Sequence, residues 1–146
     1  MSTRHAVEAD IPQIVAMGSR FIDSEYAGYL TFSPRTIADF AQRLITGAGV
    51  VFLAEAETRI VGMMAMTTYP HPFSGETIAT EVVWWMEPEA RGGSAALRLF
   101  AESEAWARSQ GATKLQMIAP SDHVAQFYER IGFERIEVHY QKALTA

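Results

Sequence analysis

The chain has 146 residues, of which 49% are hydrophobic and 20% charged, and this composition predicts a single domain spanning residues 1–146 with a sizeable core. The absence of cysteine excludes a disulfide scaffold, thiolate metal sites and a cysteine nucleophile. A net charge of −5 argues against a nucleic-acid partner. No apolar run approaches the roughly 20 residues of a membrane span, and no apolar block follows the first charges, so we expect a cytoplasmic protein with no membrane partner.

A short strand and two helices are predicted before residue 50. Residues 2–7 suit the strand, and Asp10 suits the start of the first helix, because an aspartate side chain can cap the free backbone N–H groups there. Ser33, followed by a proline, opens the second helix in the same way. Gly47 ends that helix, while the aromatic residues and glycine of 19–32 leave that segment unassigned.

Short apolar runs then replace the helical spacing and predict a sheet. Three strands are expected at residues 50–56, 59–68 and 78–86, and the last is apolar enough near its end to be buried on both faces. The remaining elements are predicted to be a helix, a strand, a helix and two strands, at residues 92–110, 114–119, 122–131, 133–136 and 138–142. This pattern belongs to the α+β class, with an embedded strand–helix–strand unit.

The turn between the strand at 78–86 and the longest helix is the most informative stretch. Its residues are Arg91, Gly92, Gly93, Ser94, Ala95 and Ala96, and all of them except Arg91 are small. Small side chains let an anion approach the backbone, and the first N–H groups of a helix point at it with the positive end of the helix dipole. The pattern therefore indicates a pyrophosphate site, although a tight packing turn without a ligand explains the same glycines equally well.

Two separate motifs carry a resemblance to a known family. They read Met86-x-Pro88-x-x-Arg91-Gly92-x-Ser94-x-Ala96 and Phe127-Tyr128-Glu129-Arg130-Ile131-Gly132-Phe133. The first resembles the R/Q-x-x-G-x-G/A turn and the second the F-Y-x-x-x-G-F signature of the GNAT superfamily of N-acetyltransferases, and the likeness covers roughly residues 50–142. Ser94 stands where that family usually has a glycine, and Ser121 stands where it usually has an asparagine.

The resemblance implies a GNAT-like acyl-CoA N-acyltransferase fold. This is a mostly antiparallel sheet of six to seven strands, flanked by about four helices and splayed at its two central strands. Acetyl-CoA is the implied cosubstrate, with its pantetheine arm pairing along the strand at 78–86 and its pyrophosphate on the glycine turn. The residues implied to bind it are Trp84, Trp85, Met86, Arg91, Gly92, Gly93, Ser94, Ala95, Ala96, Ser121 and Tyr128.

Tyr128 is the leading candidate for the proton donor to the thiolate of coenzyme A. A phenol with a pKa of about 10 can donate to a thiolate whose conjugate acid has a pKa of about 8.5, without itself ionising at neutral pH. The resemblance implies the same role, and a tyrosine packed in the core is the alternative. A backbone N–H at the end of the strand at 78–86 is expected to donate to the oxyanion.

A base or a desolvated pocket is also needed, because a free alkyl amine has a pKa of about 10 and must lose a proton before it attacks. Glu81, on the same strand, is the first candidate, with Glu76 and His71 in the preceding loop as alternatives. A solvated surface group explains each of the three equally well. Side chains alternate along a strand, which predicts that Glu81 shares a face with Val83 and Trp85 rather than with Trp84.

The expected function is N-acetyl transfer from acetyl-CoA to a primary amine of a small molecule or a protein, by direct attack in a ternary complex. A non-catalytic module of the same fold that binds coenzyme A or acts through a partner is the alternative, which Ser94 and Ser121 keep open. A plain phosphate-ligand binder is a third hypothesis.

The acceptor site is expected to involve residues 21–32 and the loop at 69–73. The side chains that would line an aromatic pocket there are Tyr26, Tyr29, Phe32, His71, Phe73 and Trp84. Core packing explains such aromatic residues as well. The four histidines show no metal-ligand spacing, so no metal site is expected, and a homodimer is left open.

Overall fold

The computed structural model describes residues 1–145. Its four α-helices are α1 (Ile11–Glu25), α2 (Pro34–Arg43), α3 (Ala95–Ser109) and α4 (Asp122–Arg130). Its strands are β1 (Ser2–His5), β2 (Gly49–Ala56), β3 (Arg59–Pro70), β4 (Thr77–Met86) and β5 (Lys114–Gln116), and they lie in that order in one five-stranded sheet. Within residues 1–145, none of the helices is long and apolar enough to cross a membrane.

All neighbouring strands are antiparallel except β4 and β5, which run parallel. The parallel pairing follows from the chain path, because α3 carries the chain from the end of β4 back to the start of β5. The contact between these two strands is short, since its pairs run only from Ile78–Lys114 to Thr80–Gln116. Beyond Thr80 the two segments separate, and this leaves a gap alongside the second half of β4.

The helices cover both faces of the sheet. Val51, Leu53 and Met63 point to one face and pack with α1 and α2. Phe52 and Met64 point to the other face and pack with α3. Because both faces are covered, β2 and β3 contain long apolar runs rather than a strict alternation of apolar and polar residues. Burying one such side chain stabilises the fold by about 1.5–3 kcal/mol.

Local capping explains where two of the helices begin. Oγ of Ser33 accepts a hydrogen bond from the backbone N–H of Thr36 at the start of α2, at 3.3 Å. Oγ of Ser121 accepts one from the backbone N–H of Val124 at the start of α4, also at 3.3 Å. Both bonds satisfy N–H groups that have no partner within the helix. The first helix continues to Glu25 and so accounts for part of the segment that the sequence left unassigned.

The predicted strands at 133–136 and 138–142 are wrong, and the sheet has five strands rather than six to seven. The expected strand at 114–119 is also shorter, because β5 has only three residues. So short a strand offers few backbone groups to a neighbour. The apolar side chains that suggested the last strand stay exposed, Tyr140 at 94%. The splay therefore lies between β4 and the edge strand.

Helix α3 begins at Ala95 rather than at residue 92. Gly92 has a φ of +84°, which lies in the left-handed region and interrupts the right-handed helix. The chain therefore leaves β4 through a single turn of 3₁₀ helix and a glycine bend before α3 starts.

Candidate active site

One residue, Ile118, contacts both of the predicted catalytic side chains through its backbone, in the gap. The backbone N–H of Ile118 donates to Oε1 of Glu81 at 3.0 Å, and the hydroxyl of Tyr128 donates to the carbonyl oxygen of Ile118 at 3.2 Å. Glu81 lies on β4, Ile118 follows β5 and Tyr128 lies on α4, so the site spans the splay. Both side chains are buried, at 6% exposure each.

A β-bulge determines which face of the sheet Glu81 occupies. Ala65 of β3 pairs with Val83, but the next residue, Met66, pairs with Glu81, so Val82 is an extra residue in β4. Val82 and Val83 both pack against the cluster of α1 and α2, whereas Met66 belongs to the cluster of α3. Cross-strand partners share a face, so Glu81 faces the α3 side.

Strict alternation placed Glu81 on the face of Val83 and Trp85, and the bulge makes that expectation wrong. The carboxylate instead shares its face with Trp84, which packs against the α3 cluster. A single extra residue reverses every side chain beyond it relative to a regular strand. The bulge is therefore what turns the carboxylate of Glu81 towards α4 and Tyr128.

Burial raises the pKa of Glu81 to about 7, and the hydrogen bond from the backbone of Ile118 opposes part of that rise. Within residues 1–145, no arginine, lysine or histidine forms an ion pair with this carboxylate. Its proton is therefore lost and regained near neutral pH. A carboxylate with such a pKa can accept a proton and release it again at physiological pH.

Tyr128 is held by aromatic packing on several sides. Its ring lies nearly parallel to that of Trp84, with centroids 6.3 Å apart, and contacts Phe133 at 5.6 Å. Burial, and after it the charge of Glu81, raises the pKa of the phenol well above its ordinary value. The hydroxyl therefore stays protonated at neutral pH and acts as a hydrogen-bond donor.

The two alternative bases lie at the other end of β4. Glu76 precedes the strand, about 16 Å along the chain from Glu81. Hydrogen bonds from Lys114 and then Thr113 hold the pKa of Glu76 at about 2, which makes this carboxylate a weak base. His71 lies in the turn before it, where its Nδ1 accepts from the backbone of the same turn. The structure does not bring either of them to Tyr128.

The turn before α3 leaves its backbone N–H groups available to a ligand. Within residues 1–145, the N–H groups of 92–96 donate no hydrogen bond to the protein. A Cβ added at Gly92 or Gly93 would meet nothing within 4 Å, so the space beside the turn is open. Ser94 occupies the N-cap position without a side-chain capping bond. Free N–H groups at the start of a helix of 15 residues fit an anion such as a pyrophosphate.

Arg91 is held against the end of β4 rather than over the free N–H groups. Its Nε donates to the carbonyl oxygen of Met86 at 3.0 Å. Its guanidinium carbon lies 4.7 Å from the centre of the Trp85 ring, in a cation–π contact. The indole N–H groups of Trp84 and Trp85 are buried and have no acceptor among the described residues.

The remaining candidate residues are spread over several places. Ser121 uses its hydroxyl to cap α4. The aromatic residues expected to form one pocket do not all meet, because Trp84 packs with Phe100 and Tyr128 whereas His71 packs with Phe73. Tyr26 packs with Phe21, and burial and then the charge of Glu81 raise the pKa of its phenol. Tyr29 and Phe73 are exposed.

An ion pair that was not predicted from the sequence joins α1 to the end of β4. Nε of Arg20 donates to Oε1 of Glu87 at 2.9 Å, and Nη2 contacts the same oxygen at 2.5 Å. The partners are 67 positions apart, and Glu87 is only 7% exposed. The available signal in the sequence was the position of Glu87, which directly follows an apolar strand and precedes Pro88, so that its carboxylate needs a partner. The pair ties the helix on one face of the sheet to the start of the glycine turn.

Comparisons with known proteins identify the family and the fold. A family model described as acetyltransferase (GNAT) family matches residues 15–133. The fold is similar to that of a predicted acetyltransferase from Clostridium acetobutylicum in complex with acetyl-CoA, with a TM-score of 0.84 and 18% identity over 98% of this chain and 96% of that one. No curated protein sequence matches the chain.

Two further solved structures share the fold. An acetyltransferase from Trypanosoma brucei has a TM-score of 0.75 and 20% identity over 98% of this chain and 99% of that one. An aminoglycoside 6′-N-acetyltransferase from Acinetobacter haemolyticus has a TM-score of 0.75 and 17% identity over 99% of this chain and 100% of that one. At such identities the likeness shows the fold alone.

Proposed function

The chain belongs to the acetyltransferase (GNAT) family, and on this premise we propose that it transfers an acetyl group from acetyl-CoA to a primary amine of a small molecule or a protein. The observation that carries the proposal is that Glu81 and Tyr128 hydrogen-bond to the backbone N–H and the carbonyl oxygen of the same residue, Ile118. It supplies a proton acceptor and a proton donor at one point in the gap, which amine acetylation in a ternary complex requires.

The residues present fit acetyl-CoA. The free N–H groups of 92–96 suit its pyrophosphate, and the second half of β4 has no strand beside it on the β5 side, where an extended arm can pair. When bound, acetyl-CoA supplies a thioester whose C–S bond breaks as the C–N bond to the amine forms. We assign Trp84, Trp85 and Met86 to the arm. Arg91 positions the end of the strand through the carbonyl oxygen of Met86.

Glu81 is proposed to take one proton from the ammonium group of the acceptor, directly or through a water molecule. Its pKa of about 7 lies below that of a free alkyl amine, but a desolvated gap lowers the amine pKa because burial disfavours the charged form. The proton then leaves to solvent from a carboxyl group that titrates near neutral pH. This release returns Glu81 to its ionised form for the next turnover.

Tyr128 is proposed to protonate the leaving sulfur. Its hydroxyl donates to the carbonyl oxygen of Ile118 in this structure and can rotate to a sulfur atom placed in the gap. The second proton of the amine replaces the phenolic proton, so the balance is one amide, one thiol and one proton released. The high pKa of the phenol ensures that it enters each turnover protonated.

Calorimetric titration with acetyl-CoA, followed by a thiol-release assay against a set of primary amines, tests the proposal. We expect micromolar binding and turnover, and in Tyr128→Phe a kcat lowered about 100-fold with the dissociation constant for acetyl-CoA unchanged. No binding up to millimolar acetyl-CoA would refute the proposal. Binding without thiol release for every amine would favour a non-catalytic module of the same fold.

A further inference from the structure

The segment after α4 carries a primary amine of the chain itself. The sequence has two lysines, Lys114 and Lys142. Nζ of Lys114 forms an ion pair with Oε1 of Glu76 at 3.0 Å, at the end of β4 that lies far from Glu81. Lys142 is exposed, and among the described residues it forms no ion pair. Of the two side-chain amines, that of Lys142 is therefore the one open to an acetyl donor.

The segment of residues 134–142 is held beside the gap at its beginning and again near its end. The backbone N–H of Phe133 donates to the carbonyl oxygen of Tyr128 at 3.0 Å, and the two rings pack with their centroids 5.6 Å apart. Nε2 of Gln141 donates to the carbonyl oxygen of Tyr29 at 3.0 Å. All residues from 134 to 142 are exposed. The segment therefore leaves the site at Tyr128 and is attached again to the loop that follows α1.

That loop also lies near the proposed catalytic side chains. The backbone N–H of Tyr29 donates to the carbonyl oxygen of Tyr26 at 2.9 Å. Burial, and after it the charge of Glu81, raises the pKa of the Tyr26 phenol, so these two side chains lie close enough to interact. Burial, then Glu81 and then Tyr26 raise the pKa of Tyr128. The attachment of Gln141 therefore keeps Lys142, the next residue, in the neighbourhood of the site.

Tethering raises the concentration of the Lys142 amine at the site. Lys142 lies nine residues after Phe133, and a flexible chain of that length has a root-mean-square length of about 15–18 Å. Such a tether gives an effective concentration of about 1 mM. The hydrogen bond of Gln141 is exposed and is readily exchanged for one to water, which lets the segment move.

On the basis of the proposed function, we propose that the protein acetylates Nζ of Lys142 in its own chain. The C–N bond to Nζ forms as the C–S bond of the thioester breaks. The ammonium group of Lys142 gives one proton to Glu81, and its second proton replaces the one that Tyr128 donates to the sulfur. The products are one N-acetyl-lysine, one thiol and one proton released, and the chain becomes one charge unit more negative.

Mass spectrometry of the intact protein with peptide mapping, after incubation with acetyl-CoA, tests the proposal. We expect one acetyl group per chain, on Lys142, added at a first-order rate that does not change with the protein concentration. Lys142→Arg should abolish this labelling and still acetylate small amines in the thiol-release assay. Lys114→Arg, the matched control, should be labelled like the wild type. Tyr128→Phe should slow the labelling about 100-fold, as expected for an enzymatic transfer.

The opposite outcomes are equally distinct. Equal labelling of Lys114 and Lys142, or labelling that Tyr128→Phe does not slow, would show spontaneous acetylation by the thioester and overturn the inference. A rate that rises in proportion to the protein concentration would show transfer between molecules and overturn the assignment to one chain. No labelling by a protein that acetylates small amines would overturn the inference and leave the proposed function intact. If thiol release also fails with every amine, the proposed function fails as well.

Discussion

Replacing Glu81 by glutamine is expected to stabilise the protein above neutral pH while it abolishes most of the activity. Burial raises the pKa of this carboxyl from 4.5 to about 7. Between these two values the folded protein holds a proton that the unfolded chain has already lost, so stability falls as the pH rises through this window. The loss is complete above about pH 7. A pKa difference of about 2.5, at about 1.36 kcal/mol for each pH unit, gives about 3 kcal/mol.

Urea unfolding followed by tryptophan fluorescence between pH 4 and pH 8.5 measures this effect. Glutamine does not titrate and can still accept the hydrogen bond from Ile118. The free energy of unfolding of Glu81→Gln minus that of the wild type should therefore be about 3 kcal/mol larger at pH 8 than at pH 4. Glu102→Gln, an exposed position on α3, controls for the change in net charge. Parallel stability curves for wild type and Glu81→Gln would show that the carboxyl is not desolvated and would refute the reasoning.

Three further substitutions probe the elements around the gap. Gly92→Ala is expected to weaken acetyl-CoA binding about five- to tenfold in calorimetry, because alanine is strained at a φ of +84°; an unchanged affinity would contradict the role of this turn. Gly62→Ala would place its Cβ 2.3 Å from Sδ of Met86, so urea unfolding should show a loss of about 1–3 kcal/mol, and a neutral effect would be evidence against this close approach. Arg20→Met leaves the buried Glu87 without its partner and should lower the free energy of unfolding by about 1–3 kcal/mol. Adding Glu87→Gln to the same chain should recover part of this loss, and additive effects of the two changes would mean that the ion pair is unimportant.

Local patterns in the sequence predicted most of the fold because they act over a few residues. Ser33 caps the second helix, where a serine side chain was expected to do so. The apolar run that ends at Met86 is the buried strand beside the gap. The phenylalanine and tyrosine of the second motif lie on one helix at the site. Each of these features depends on spacing within one element, which the sequence shows directly.

The face of Glu81 could not be predicted, because it depends on pairing between strands. The extra residue Val82 has the same apolar character as its neighbours, and only the register against β3 reveals it as a bulge. The predicted C-terminal strands failed for a related reason. Alternation shows that a segment can form a strand, whereas the length of the neighbouring edge decides whether it does. Ile118 acts through its backbone, so its side chain carried no signal.

The open half of β4 has to remain unpaired for acetyl-CoA to bind there, and an unpaired strand edge is also prone to pair with other chains. Two features of the gap reduce that risk. Glu81 places an inward-pointing carboxylate in the gap, and ionising this buried group is costly. Arg91 covers the carbonyl oxygen of Met86 with its own Nε. The groups proposed to act on the substrate would then also keep the edge free of other strands. On this reasoning Glu81→Gln should gain stability and, at high protein concentration, lose solubility, an outcome that light scattering of the folded variant measures.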